Sequence, residues 1–203
     1  MQVAARLEEA IKRAYAIIGR ATPLKADCGL LCGAACCKDA PETPDTPETP
    51  DTLLALDTPD TLLTPDTPVA PHAPDALGMY LFPGEAGLLS NEPGYRLFHI
   101  PFMGIRVWFL VCEGVCDRRK RPLACRIFPL APHIDANGGV GALPDPRAVR
   151  MCPLAGGEYI DPAFRRAVTK AFRFLAGESE IFEFMRLLSA DLDDMRRFIS
   201  KKK

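Results

Sequence analysis

Eight cysteines in two clusters constrain the fold of this chain more than any other feature of its sequence. The first cysteine cluster lies in the run CGLLCGAACC at residues 28–37 and comprises Cys28, Cys32, Cys36 and Cys37. The second lies in the run CEGVCDRRKRPLAC at residues 112–125 and comprises Cys112, Cys116 and Cys125, with Cys152 downstream. These eight include every cysteine of the chain, and we expect the fold to bring their sulfurs together.

The setting of these thiols favours metal binding over disulfide bonding. Glu8, Glu9, Lys12 and Arg13 lie where a signal peptide would need its apolar stretch, which predicts a cytoplasmic protein. In a reducing compartment, clustered cysteines are more often metal-binding or catalytic than cross-linked. Four thiolates suit Zn²⁺, and iron–sulfur clusters also take four cysteines. The expected cofactor is therefore zinc or iron, the iron being mononuclear or in an iron–sulfur cluster. Disulfides are the alternative.

Basic side chains accompany the second cysteine cluster at residues 118–121 and again at Arg126. Because nearby cations stabilise a thiolate, we expect Arg121 and Arg126 to contact the metal–thiolate site as cofactor-binding residues. A second interpretation is that the basic run binds an anion such as phosphate or nucleic acid.

Composition narrows the choice of partners. With Lys+Arg 25 against Asp+Glu 26, the chain is close to neutral, which does not favour a nucleic-acid or membrane partner. The most apolar run, residues 105–111, contains Arg106 and is far shorter than the ~20 residues of a membrane span. The sequence indicates a metal ion as the partner, whereas a protein partner is left unidentified.

The chain is expected to be one domain with a long insertion. Residues 1–38 would hold an N-terminal helix and the first cysteine cluster, and residues 77–203 the remainder of the same domain. Between them, residues 39–76 form a Thr-Pro-acid repeat, with eight acidic residues and no lysine or arginine from position 41 to 75. Dense proline and high net charge with few aromatic residues predict disorder for this insertion.

The ordered parts predict an α+β fold, a small antiparallel sheet flanked by helices. Apolar residues spaced by three and four indicate a helix over 3–19, and two more helices close the chain, the first beginning after Asp161 and the second capped by Ser179. Each of these two helices has an apolar stripe expected in the core: Phe164, Val168, Ala171 and Leu175 in the first, and Ile181, Met185, Leu188, Leu192, Met195 and Ile199 in the second. Alternating or apolar runs at 95–100 and 105–111 indicate a hairpin that leads directly into Cys112. Trp108 is expected in the core, and residues 137–139 in a tight turn.

Familiar site motifs are missing from the sequence. A zinc ribbon needs two C-x2-C pairs, whereas the spacings here are C-x3-C-x3-C-C and C-x3-C-x8-C. There is no G-x-G-x-x-G, P-loop or H-E-x-x-H motif. The three histidines, His72, His99 and His133, are isolated from one another, so we expect none of them to be a ligand.

Three sequence elements resemble one known family. They are the doublet-ended first cluster, the run GMYLFPGE at 78–85, and RPLACR at 121–126 followed by the late Cys152. Together they are similar to the CxxCxxCC, or YkgJ-like, cysteine-cluster family, whose members are regarded as zinc- or iron-chelating through eight cysteines. Some relatives are labelled flagellin lysine methylases. The resemblance spans about residues 24–155 outside the insertion, and the spacing here departs from the family name by one residue per step.

The expected function is therefore metal chelation by cysteine thiolates, in a pathway that the sequence does not identify. One alternative is a metal-dependent enzyme, for protein lysine methyl transfer or redox chemistry. Another is an interaction module with a purely structural metal. The sequence offers no catalytic base, nucleophile or cofactor loop beside the sulfurs by which an enzyme could be recognised.

Overall fold

A computed structural model describes residues 2–26, 32–33, 36, 78–112 and 118–201. It confirms an α+β fold with small antiparallel sheets flanked by helices. The strands are β1 (Gly78–Tyr80), β2 (Tyr95–Phe102), β3 (Ile105–Cys112), β4 (Leu130–Ile134) and β5 (Val140–Pro144). The helices are α1 (Gln2–Ile18), α2 (Ala86–Leu89), α3 (Leu123–Ile127), α4 (Pro162–Leu175) and α5 (Ser179–Ser200), with 3₁₀ helices at Arg118–Lys120 and Pro146–Arg150.

The larger sheet has the strand order β1-β3-β2 and contains the predicted hairpin. Its ladder runs without a break from the pair Tyr95 and Cys112 to the pair Phe102 and Ile105. The turn is therefore shorter than expected and consists of Met103 (φ 46°) and Gly104 (φ 84°). Positive φ at both central residues matches the twist of a two-residue hairpin. The strand β3 ends at Cys112, where the second cysteine cluster begins.

A second hairpin lies beyond the second cysteine cluster, where the sequence indicated only turns. It pairs β4 with β5 from Leu130 and Pro144 to Ile134 and Val140. The predicted tight turn is present between them, because the Asp135 carboxylate accepts hydrogen bonds from the N–H groups of Asn137 and Gly139, both at 2.8 Å. The alternation of this hairpin was hidden by its prolines and glycines, which are poor strand formers.

The larger of two hydrophobic clusters in the described residues joins the N-terminal helix, the sheets and the C-terminal helices. Helix α1 packs on α4, α4 packs on β5, and α5 packs on β4. The predicted stripe of α4 is fully buried, and Asp161 caps this helix by accepting a 2.7 Å hydrogen bond from the Ala163 N–H. Among the described helices, none combines the length and the apolar character that crossing a membrane requires.

Three expectations from the sequence are wrong. Trp108 lies on the solvent side of β3, where it is 37% exposed and stacks on His99 with 3.6 Å between ring centroids. The apolar stripe of α5 is buried as far as Leu192, but Met195 and Ile199 are each 37% exposed, because the last turns of this helix extend past the core. The N-cap of α5 is Glu178, so Ser179 is its first helical residue rather than its cap.

The Thr-Pro-acid insertion at residues 39–76 lies outside the described residues. We expect that replacing residues 41–75 with a short Gly-Ser linker leaves the melting temperature and the metal content nearly unchanged. The physical reason is that the core is built from α1 and from residues after position 80. Thermal unfolding and elemental analysis of both proteins test this expectation. A substantial drop in either quantity would mean that the insertion packs on the domain or supplies ligands.

Candidate functional site

Five of the eight cysteines lie in the described residues. Cys32 and Cys36 lie in short described pieces of the first cysteine cluster, and Cys112 ends β3. Cys125 lies in the middle of α3, and Cys152 follows the 3₁₀ helix at Pro146–Arg150. All five are half-buried. The other three, Cys28, Cys37 and Cys116, are outside the described residues, so their places in any shared site stay predictions.

Cys125 contacts a second sulfur. Its Sγ lies 2.9 Å from the Sδ of Met79 on β1, close enough for the thiol to donate to the thioether. Both residues belong to runs that carry the resemblance described above, GMYLFPGE and RPLACR. The contact shows that the two runs meet in space, although 46 positions separate them in sequence.

A buried carboxylate fixes the start of the helix that carries Cys125. Glu85 has no exposed surface. One of its oxygens, Oε1, accepts hydrogen bonds from the Leu123 N–H at the first residue of α3 and from the Tyr15 hydroxyl, the latter at 2.6 Å. The other oxygen, Oε2, accepts from the Phe82 N–H at 3.0 Å. Glu85 therefore ties together α1, the segment after β1 and the start of the helix that carries Cys125.

The guanidinium of Arg126 packs on Tyr15. It lies over the Tyr15 ring at 4.0 Å from the centroid. Its Nε donates to the Arg121 carbonyl oxygen at 2.6 Å, and its Nη2 donates to the Arg119 carbonyl oxygen. Arg126 thus holds the backbone of residues 119–121 in place as well as carrying a charge next to Cys125.

Burial controls the protonation of Glu85 and Tyr15. Removal from water raises the pKa of Glu85 above that of an ordinary carboxyl group, and the hydrogen bonds from Tyr15, Leu123 and Phe82 and the charge of Arg126 oppose this effect. Burial also raises the pKa of Tyr15, and the neighbouring Glu85 raises it further. Tyr15 therefore stays a neutral hydrogen-bond donor at physiological pH.

Gly84 lets the chain reach this position. Its φ is +88°, in the region that favours glycine, and a Cβ there would lie 2.6 Å from the Cβ of Leu7 on α1. Any larger residue would push this turn away from α1. Three residues of the Phe-Pro-Gly-Glu segment thus have distinct structural roles. Phe82 packs in the core, Gly84 permits the close approach of this turn to α1, and Glu85 anchors α3.

A cavity of about 340 Å³ opens beside Cys125, and we call it the arginine-lined cavity. One wall is the end of α1 and the segment after it, and the other is formed by the basic run and α3. Its described lining consists of Ile18, Gly19, Arg20, Ala21, Thr22, Pro23, Arg119, Arg121, Cys125, Arg126 and Phe128. The predicted pair Arg121 and Arg126 thus lies with Cys125 around one space.

Two residues that line the arginine-lined cavity are close in sequence to cysteines outside the described residues. Pro23 lines it and precedes Cys28 by five positions, which limits the path between them to about 17 Å at ~3.4 Å per residue. Arg119 lines it and follows Cys116 by three positions, a path of at most about 10 Å. The Pro23 carbonyl is held by a 2.7 Å hydrogen bond from the Asp161 N–H.

Cys152 is positioned by a separate hydrogen-bonded turn. Asp145 is almost fully buried and caps the 3₁₀ helix Pro146–Arg150 by accepting from the Arg147 N–H at 2.9 Å. The guanidinium of Arg147 pairs with the same carboxylate at 2.7 Å. The N–H of Cys152 then donates to the Ala148 carbonyl at 2.8 Å.

The described residues do not assemble a metal-ligand set by themselves. Among the residues at 2–26, 32–33, 36, 78–112 and 118–201, no three His, Cys, Asp or Glu side chains are grouped closely enough to hold a metal ion. His99 is exposed against Trp108, and His133 lies 3.6 Å from Asp193. His72 falls in the insertion and outside the described residues.

Sequence reasoning missed Glu85, Tyr15 and Met79. Glutamate on an apolar segment is normally exposed, and only the convergence of three distant segments buries Glu85. A usable signal was the position of Glu85 directly after Phe-Pro-Gly, in a run with no other charge from position 78 to 84.

Comparisons of the chain with protein-family models, with curated proteins and with solved structures gave no match. The resemblance to the CxxCxxCC family therefore rests on the cysteine clusters, GMYLFPGE and RPLACR alone.

Proposed function

We propose that this protein chelates zinc or iron through cysteine thiolates drawn from both cysteine clusters. Candidate ligands are Cys28, Cys32, Cys36, Cys37, Cys112, Cys116, Cys125 and Cys152. The donor chemistry fits these metals, because thiolate sulfur is a ligand that zinc and iron–sulfur clusters both prefer. In such a site Arg121 and Arg126 would offset the negative charge of the thiolates.

The observation that supports this proposal is the position of the arginine-lined cavity. It contains Cys125 and borders the chain segments that lead within a few residues into Cys28 and Cys116. Ligands from both clusters can therefore converge there without rearrangement of the core. The half-buried Cys125 helix is also held rigidly by Glu85, and a rigid support is what a metal site requires of its ligands.

We expect anaerobically purified protein to contain tightly bound zinc or iron. Elemental analysis gives the metal and its amount, and the visible absorption spectrum separates an iron–sulfur cluster from a mononuclear site. Removal of the metal by a chelator should lower the melting temperature, since a metal that binds only the folded state stabilises it. Protein that carries neither metal and whose eight thiols all react at once with a thiol reagent would contradict the proposal.

The second candidate is a metal-dependent enzyme, and the arginine-lined cavity is the observation that favours it. Its volume of about 340 Å³ lies in the range of small-molecule sites. A catalytic metal keeps one coordination position open, whereas a structural metal has four protein ligands. Addition of cyanide to cobalt-substituted protein distinguishes the two, because a change in the visible spectrum requires an open position on the metal.

A further inference from the structure

We propose that the arginine-lined cavity binds the phosphate group of a small organic phosphate. This inference goes beyond metal chelation, and its test rests on Arg20 and Arg119, two lining arginines that are not assigned to the thiolates.

The charge around the cavity supports an anionic ligand. Four arginines line it, Arg20, Arg119, Arg121 and Arg126, and none of its described lining residues is acidic. Guanidinium groups match phosphate because they are planar, permanently charged and able to donate two parallel hydrogen bonds. A phosphate carries up to two negative charges, which suits such a concentration of cations better than a single carboxylate does.

One of these arginines is already fixed in position. Arg126 is held by the Tyr15 ring and by the carbonyl oxygens of Arg119 and Arg121. These bonds also set the backbone that carries Arg119 and Arg121. A ligand would therefore meet a partly preorganised set of cations, which lowers the entropic cost of binding.

The carbonyl end of α1 borders the same cavity and could be expected to repel an anion. Two of its last carbonyl groups are already bonded, because the Gly19 N–H donates to the Tyr15 oxygen at 2.8 Å and the Ala21 N–H donates to the Ile18 oxygen at 3.0 Å. These hydrogen bonds reduce the partial negative charge at the carbonyl end of the helix.

The cavity is larger than a bare phosphate needs. Ile18, Ala21, Pro23 and Phe128 supply apolar surface beside the arginines. An organic group attached to the phosphate can pack against this surface, so we expect an organic phosphate to bind more tightly than inorganic phosphate does.

The test is isothermal titration of the protein as purified with inorganic phosphate and with phenyl phosphate, at constant ionic strength set with chloride. Both ligands should bind saturably, phenyl phosphate more tightly. Arg20→Gln and Arg119→Gln should each weaken binding about tenfold or more, because each removes a charge-assisted hydrogen bond. Both side chains are exposed, so these variants should fold.

Arg13→Gln is the matched control, because Arg13 is an exposed arginine of α1 that lies over Phe174 and is not part of the cavity lining. Its affinity for phosphate should equal that of the wild type. Absence of saturable binding, equal losses in the control and the lining variants, or phenyl phosphate binding no tighter than phosphate would each overturn the proposal. Metal content is measured in every variant. Loss of metal from the lining variants would assign these arginines to the thiolates and also overturn it.

Discussion

Replacing Glu85 with alanine is expected to lower the free energy of unfolding by about 3–5 kcal/mol, the range for loss of one partner from a buried charged or hydrogen-bonded group. Three donors would lose their acceptor, namely the Tyr15 hydroxyl and the N–H groups of Phe82 and Leu123. Domains of this kind are stable by only about 5–15 kcal/mol, so the loss would be a large fraction of the total. Chemical denaturation of the metal-free protein measures it directly.

Two further variants test whether the lost hydrogen bonds cause the destabilisation of Glu85→Ala. Glu183→Ala removes an exposed carboxylate, paired with Arg186 at 2.6 Å, and should leave the unfolding midpoint nearly unchanged. Glu85→Gln keeps the shape of the side chain but loses one acceptor, so it should cost less than Glu85→Ala. A Glu85→Ala protein as stable as the Glu183→Ala control would show that the hydrogen-bonded group does not hold α3.

The contribution of Glu85 should also make the free energy of unfolding depend on pH. Because burial raises the pKa of Glu85 in the folded protein, the folded state binds the proton more tightly than the unfolded state does. The contribution of Glu85 to stability is therefore complete below the unfolded pKa of about 4.3 and decreases as pH rises through the raised folded value. Glu85→Gln should remove this part of the pH dependence.

The second large effect is expected at the cysteines. Cys32→Ser and Cys125→Ser, made singly, should each release the same metal and weaken the metal affinity more than about 100-fold. Loss of a group that only supports a ligand costs about 10–100-fold, so a larger loss is expected for a ligand itself. The double variant should be no worse than either single one, because a shared site is lost once. Elemental analysis after extensive dialysis, with Ala16→Ser on the exposed face of α1 as the control, measures these losses.

The energetic argument for a shared site concerns the loop from Cys37 to Cys112, which must be closed. Loop closure costs only about 0.6 kcal/mol for each doubling of loop length, whereas structural zinc contributes roughly 10–16 kcal/mol in small peptides. The free energy of metal binding exceeds the entropic cost of closing the loop, so a long insertion can be accommodated between the ligands. Losses that are independent and additive, from two separable metal ions, would rule the shared arrangement out.

Local patterns in the sequence were sufficient for most of the secondary structure. The three- and four-residue spacing of Leu7, Ile11, Ala14 and Ile18 predicted α1 and its buried face, and Asp161-Pro162 predicted the start of α4. Apolar alternation predicted the hairpin that ends at Cys112. These features can be predicted from the sequence because the residue spacing that places side chains on one face of a helix or strand extends over only a few residues. It does not depend on what packs against that face.

Where a local pattern was weak or continued past the core, the prediction was wrong. The hairpin β4–β5 was missed because prolines and glycines interrupt its alternation. The last turns of α5 keep an apolar spacing with Met195 and Ile199 although nothing described covers them fully. Trp108 is apolar and lies in a strand, yet the face of the sheet on which it lies is exposed there.

The sequence by itself determined the composition of the candidate site: the number of thiols, their grouping and the cations beside them. Only the tertiary structure decided how distant segments meet. Glu85 becomes a buried anchor because Tyr15 and Leu123 approach it from segments 70 and 38 positions away. The arginine-lined cavity likewise joins residues 18–23 with residues 119–128. Such contacts depend on the packing of the whole core, which no local period in the sequence encodes.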